Sequence, residues 1–545
     1  VNAIRCGLVL ILLLAFAIPL LGPILDLPRS PQGFAAWRES DRIFSLLGNS
    51  FSLFALTSLI AVPWGTLFAI LLERTYLRGK GALRAAVLFG VVLPIPVAAV
   101  AWQAAFGNIL PRLSLDPGTI AWQPWNKGLL PAAWIHAMVG LPWVIAIVSI
   151  ALRQTDPAVE EEALALGGRH LVFRAVIGPR LILAMLAALA WLAIQTTTEI
   201  AITDMMMVRT YAEEVYTQQV IGGAGIGSSM ALTLPMGAVF AVVVLGFGKR
   251  WYKRYSRTSG EMTRPRQYTI TPGLRFPIVL FAWLTPLIFL GVPFAALVVK
   301  ASTGSNSLFQ QLATVVRTDG VCLLTSTATA LGVGLLTAAL ARWCCWAARE
   351  SARFRMFLFG LSAALVFTPG PIIGFGLKEM IRRLVDLEEI FFAGFDFPPL
   401  RSLLYDQPSP LPAGWAAVLR LFPLACLIQW PIIAAIPKEF LELSALDGRS
   451  PFSRWRLAVA PPSRDAFLFA SFLVAALAMG EVSAAKIANP PFFDVYILRL
   501  FDQMHYGSES SVAALCLVQL ILTGSMGVLW WATRTTSSVG TVPES

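Results

Sequence analysis

ELSALDGRSPFSRWRLAVAP, residues 442–461, is a strongly polar stretch between two long apolar runs. It opens on Glu442, carries small residues at Ser444 and Ala445, a glycine at Gly448, basic residues at Arg449, Arg454 and Arg456, and closes on Pro461. That order describes a short helix, a sharp turn and a second helix entering a bilayer, because glycine permits the turn and proline suits a first helical turn. A related stretch, EEALALGGRHLVFRAVIGP, occupies 161–179. It too runs from acid through small residues, glycine and scattered arginine to a proline before an apolar run. Two copies so far apart predict a chain built of two related halves.

The flanking runs set the class. Of 545 residues, 57% are hydrophobic and 13% charged, more apolar and less charged than soluble domains. Runs of about 20 apolar residues, each long enough to cross a hydrocarbon core of about 30 Å as a helix, recur along the chain. They do not alternate as barrel strands do. An all-α polytopic membrane protein with two pseudo-symmetric six-helix halves is expected. The first half, 1–250, offers spans at 7–25, 52–72, 85–106, 129–152, 181–203 and 230–247; a basic, Pro/Gly-dotted linker follows at 251–275. The second half, 276–545, offers spans at 276–299, 321–341, 356–377, 415–436, 465–485 and 512–531. Valine stands first, and an uncleaved first span is expected over a signal peptide.

Net charge is +11, which in a soluble protein would suggest nucleic acid. Here the basic residues cluster in alternate loops, so lipid and not nucleic acid is the expected partner. Arg74, Arg78, Lys80 and Arg84 share one loop, seven Lys and Arg residues from Lys249 to Arg266 another, and Arg349, Arg353 and Arg355 a third. Both 161–179 and 442–461 fall on that side, which the positive-inside rule makes cytoplasmic, with both termini there. The loop at 380–411, with Arg382, Arg383 and Arg401 but also five acids, is the main dissent.

In the downstream stretch glycine follows Glu442 by six residues and proline follows Gly448 by thirteen. This resembles the EAA motif in the membrane subunits of ABC importers. The upstream copy fits with Glu161, Gly167 and Pro179 if one residue is missing between glycine and proline; Glu162 with Gly168 is a competing frame. The resemblance implies that both loops are coupling helices docked on cytoplasmic ATPase subunits, two copies, in the cytoplasmic (inner) membrane. It also implies an external or periplasmic solute-binding protein. The overall plan is most similar to the fused ferric iron and thiamine permeases, through the run at 480–507 as well, which favours ferric iron as the solute. Polyamine, sulfate and molybdate importers share the loop, usually on two separate chains. No G-x-x-x-x-G-K-[ST] run occurs, so the motor is expected to be another protein, and this chain neither an enzyme nor the holder of a cofactor.

Other residues carry weaker signals. Pro94 and Pro96 in the third span match Pro369 and Pro371 in the ninth; such pairs interrupt a helix and free carbonyls that must face protein or a wet cavity, which points to a transport pathway, or simply to a packing kink. Glu199 and Glu481 each lie twenty residues after the proline that closes a polar loop. A charge inside an apolar run costs about 2.5 to 3.5 kcal/mol. At about 1.5 Å per residue both sit about 30 Å from those prolines, lining a pathway for a cation, or paired with Arg209 or Lys486 for structure. Glu214-Val215-Tyr216 and Asp494-Val495-Tyr496 read as one external segment repeated. Gly223, Gly225 and Gly227 are loop glycines, the six cysteines are packing residues, and His136, His170 and His505 are too scattered to cage a metal. A twelve-span ion-driven transporter fits span count and repeat equally well but leaves the two polar loops unexplained. A membrane-embedded enzyme would need a cluster of catalytic side chains, and the sequence shows none.

Overall fold

The computed structural model describes residues 2–25, 40–108, 125, 127–220, 231, 265–303, 307–391, 399–437, 439, 442, 448, 450–490, 493–506 and 509–538. The span expected at 230–247, most of the linker and the glycines at 223–227 lie outside them. Among the described residues the chain is helical apart from one isolated bridge, Thr75 to Tyr268. Eight helices are long and apolar enough to cross a membrane, and up to eleven spans result if each of three sharply bent pairs counts as one. Those eleven coincide with the eleven expected spans that fall on described residues.

Helices prevail because every backbone N–H and C=O in hydrocarbon must be satisfied within its own segment. Prolines nevertheless stand inside long helices, as at Pro63 in Ser40–Arg74, Pro142 in Leu129–Arg153 and Pro423 in Leu411–Ala435. Elsewhere the chain bends sharply. Lys80–Val91 meets Ile95–Gly107 at 106°, Ala352–Phe367 meets Gly370–Phe391 at 111°, and Phe452–Val459 meets Arg464–Ala478 at 91°. The first two bends fall at Pro94 and at Pro369.

Helices from either side of the expected division at 251–275 pack across it. Asn2–Leu12 and Ile18–Leu25, joined by a π-helical turn at Leu13–Ala17, pack on second-half helices. Phe16 meets Phe422 at 4.8 Å between ring centres, and the Trp415 indole donates to the Ala15 carbonyl at 2.9 Å. Reciprocally, Pro272–Pro286, the π-helical turn Leu287–Gly291 and Val292–Ala301 bury Ala282, Phe289 and Ala296 among residues of 53–208. A third apolar cluster joins Val97 and Ala201 to Val482, Ala485 and Tyr496 at the centre. Five of the six cysteines are buried in such contacts; Cys6 is exposed on the first helix.

The dissenting loop resolves into local ion pairs. Arg382 meets Glu379 at 2.7 Å and Asp386 at 3.1 Å, Arg383 meets Glu379 at 2.8 Å, and Arg401 meets Glu389 at 2.5 Å and Asp406 at 2.8 Å.

Candidate functional site

Each proline-broken span ends its first helix and restarts at once. Before the first break Leu93 N–H donates to the Gly90 carbonyl, and after it Ala98 N–H donates to that of Pro94; Pro94 and Pro96 are buried. At the second, Ile372 and Ile373 donate to the Pro369 carbonyl, Pro371 is buried and Pro369 half-buried. The Thr368 carbonyl freed there accepts from the Arg420 guanidinium at 3.2 Å. Protein groups meet the carbonyls, as the interruption required.

Glu199 and Glu481 sit just past helix ends. After Gly178–Thr198 the backbone at Glu199 turns extended, and its carboxylate accepts from Ala201 N–H at 2.6 Å and Ile202 N–H at 3.0 Å, capping the short helix Ala201–Met205. The Glu481 carboxylate accepts from Ser483 Oγ at 2.8 Å and Ala484 N–H at 3.0 Å, ahead of Ala485–Ala488. Each carboxylate also faces one basic side chain of the preceding span: His136 Nε2 lies 3.9 Å from Glu199 and Arg420 Nε 3.6 Å from Glu481. The glutamate side chains are only 10% and 13% exposed. Lys486 pairs instead with Asp502, and the Arg209 carbonyl accepts from Asn49. The expected partners are thus replaced by local amides, His136 and Arg420, because a carboxylate beside a new helix start is within reach of its orphan N–H groups.

The count of about 30 Å holds for Glu199, above a helix of 21 residues, but not for Glu481. Pro461 precedes the 91° bend, so its helix, Arg464–Ala478, has 15 residues and spans about 22 Å.

Breaks and capped turns touch. A Cβ placed on Gly480 would lie 3.1 Å from Pro94 Cβ, and one on Gly370 would lie 2.0 Å from Ser483 Oγ. Beside Glu481 is a cavity of about 30 Å³ lined by Ser326, Glu481, Tyr496 and Gln519 among others, room for a water. Gln519 donates to the Met479 carbonyl at 2.9 Å. A matching bond ties each long helix to the segment after its glutamate: Tyr211 N–H donates to Ser50 Oγ at 3.0 Å and Tyr496 N–H to Ser326 Oγ at 2.9 Å.

The polar loops turn on glycine. Gly168 has φ +64° and Gly448 φ +67°, the left-handed region, whereas Gly167 has φ −155°. In conformation it is Gly168, and not Gly167, that matches Gly448. Glu161, Glu162, Gly167, Glu442, Gly448 and Pro461 are exposed and Pro179 half-buried; Ser444, Ala445 and Arg449 lie outside the described residues.

The loops are anchored differently. In the first, Asp156 caps Pro157–Leu171, and the buried Glu160 receives Arg74 Nη1 at 2.6 Å and Tyr268 Oη at 2.5 Å. Arg74 also donates to Thr155 Oγ1 at 2.9 Å, and Tyr268 N–H to the Arg74 carbonyl at 2.7 Å. Burial, then the Glu160 carboxylate, pushes the Tyr268 phenol up to about 12, so it stays a donor. Arg266 lies 3.6 Å from Glu161. In the second, Trp455 stacks on Trp343 at 4.3 Å, and the Arg342 guanidinium sits 5.3 Å from the Trp455 ring and 5.1 Å from that of Phe467. Arg342 also donates to Ser463 Oγ at 2.9 Å.

Sequence reasoning passed over Arg420, Glu160, Tyr268 and the two serines. Only Arg420, a lone cation in the apolar run 415–436, advertised itself. Among the described residues no group of three or more His, Cys, Asp and Glu side chains is placed to hold a metal. Comparison with family models, curated proteins and solved structures finds no match, so this many-span helical membrane protein is characterised by its own residues alone.

Proposed function

We propose that the chain is the permease of an ATP-driven importer, with two related halves around one pathway. Separate cytoplasmic ATPase subunits, one per loop, would dock on 161–179 and 442–461, and an external solute-binding protein would deliver a small solute. The observation that carries the reading is the pair of left-handed glycines, Gly168 and Gly448, each six residues after an exposed glutamate, Glu162 and Glu442. A repeat is supported by the bends of 106° and 111°, by the two glutamate-capped turns, and by the Ser50–Tyr211 and Ser326–Tyr496 bonds. Ferric iron is the solute favoured by the sequence resemblance, with Glu199 and Glu481 as the carboxylates on its way.

The test is uptake into vesicles by the chain purified with its ATPase subunits. Gly448→Pro and Glu442→Lys should leave abundance and insertion unchanged while uptake falls and ATP hydrolysis no longer tracks it. Normal uptake by these variants, or uptake by the chain alone on an ion gradient, overturns the reading. Glu199→Gln with Glu481→Gln should cut flux at normal abundance, each single change being intermediate; unchanged flux removes the two carboxylates from the pathway.

A further inference from the structure

The helix Gly370–Phe391 leaves the ninth span at 111°, nearly at a right angle. Its level can be counted. Arg349 donates to the Ile436 carbonyl, so Ala352–Phe367 and Leu411–Ala435 meet the same end of the bundle. Sixteen residues lead up to the bend and twenty-five lead back from Leu411, about 24 and 38 Å of helix. The segment between them therefore brackets the far boundary of a hydrocarbon core about 30 Å thick.

At about 100° per residue this helix has three sectors. Leu377, Ile381, Val385 and Glu388 face inward, buried or nearly so. Lys378, Arg382, Asp386 and Glu389 lie on an exposed, charged sector that Glu379 and Arg383 extend towards the apolar flank. Leu387 and Phe391 fall between that sector and the buried one, 48% and 75% exposed, while Ile390 stands at the edge of the charged sector beside Arg383. The buried Glu388 carboxylate accepts from Leu400 N–H at 2.8 Å and Arg401 N–H at 2.7 Å, which fastens the following turn alongside, where Leu400, Leu403 and Tyr405 are also exposed. The helix packs on Ile18–Leu25, the end of a candidate span whose Leu14, Ile18 and Leu21 are themselves exposed apolar residues.

We infer that this hairpin, Gly370–Phe391 with Pro399–Asp406, lies in the membrane interface of the leaflet opposite Arg349, with Leu387, Phe391, Leu403 and Tyr405 against lipid and the paired charges in water. A helix with one charged and one apolar face settles in that plane. The apolar flank continues the lipid-facing surface of the first helix, so lipid is the occupant and not a protein. It also accounts for a basic segment on the side where the charge rule wants few: its arginines are held by neighbouring acids.

The full chain, with Cys6→Ser removing the exposed thiol, is reconstituted in phosphatidylcholine–phosphatidylglycerol nanodiscs with a nitroxide on one introduced cysteine at a time. Labels at Leu387→Cys and Leu403→Cys should favour oxygen over a water-soluble nickel chelate several-fold more than a label at Lys378→Cys, and less than one at Leu14→Cys. Phe391→Cys repeats the measurement should either variant fold poorly. Accessibilities equal to those at Lys378 would place the hairpin in water, and protection from both reagents would mean that protein covers it; either overturns the inference.

Discussion

The two polar loops share a spacing and a left-handed glycine, yet they are held in place by different chemistry. The first is fixed by a buried ion pair, Arg74 with Glu160, which the linker residue Tyr268 closes from outside. The second is fixed by stacked rings and the Arg342 guanidinium, with no acid at the contact among the described residues. The helices behind them differ to match: Gly178–Thr198 rises straight from its π-helical turn, while Arg464–Ala478 follows a 91° bend. What the loops have in common is the exposed turn, and the support beneath it has been free to differ.

The difference is sharpest for Glu160→Ala. It strands Arg74 as a buried charge, a loss of about 3 to 5 kcal/mol, read as a fall in thermal midpoint and as faster amide exchange over 157–171 with little change over 451–459. Equal acceleration at both loops would mean that the supports are not independent. Trp455→Ala should do the converse, by about 2 kcal/mol, since it removes two ring stacks, on Trp343 and Phe452, and one cation–π contact. Exchange then quickens over 451–459 and not over 157–171.

Tyr268→Phe deletes one hydrogen bond to a carboxylate at a half-exposed site and should cost about 1.5 kcal/mol. It loosens the linker from the first loop and leaves the second unmoved in the same exchange experiment. Smallest are Gly168→Ala and Gly448→Ala. Each forces a side chain into left-handed backbone at about 1 kcal/mol, with nothing within 4 Å of either added Cβ. A much larger loss at one of them, by denaturant titration, would show that the two turns are not alike after all.

Much was legible before any coordinate. Apolar runs of span length can satisfy their backbones in lipid only as helices, so composition and periodicity determined the class and the eight to eleven candidate spans among the described residues. The prolines at 94 and 369 marked the breaks because a ring without an N–H cannot continue a helix. Glycine in each polar loop announced a turn for the same local reason, although Gly167 and Gly168 were indistinguishable until their torsions separated them.

The rest depended on contacts between residues far apart in the chain. That Glu160 and not Glu161 is buried, that Tyr268 reaches it across 108 positions, and that Arg420 rather than Lys486 faces Glu481 are all consequences of which helices pack together. So is the packing across the expected division, with Phe16 on Phe422 and Phe289 among residues of 53–208. Sequence by itself determined which segments become helices, where they break and that they sit in a membrane, because those follow from hydrogen-bond saturation and the solvent around one segment at a time. Only the tertiary structure decided the partners, because an apolar helix meets lipid and a neighbouring helix with much the same affinity, and the choice falls to close packing and a few buried polar pairs.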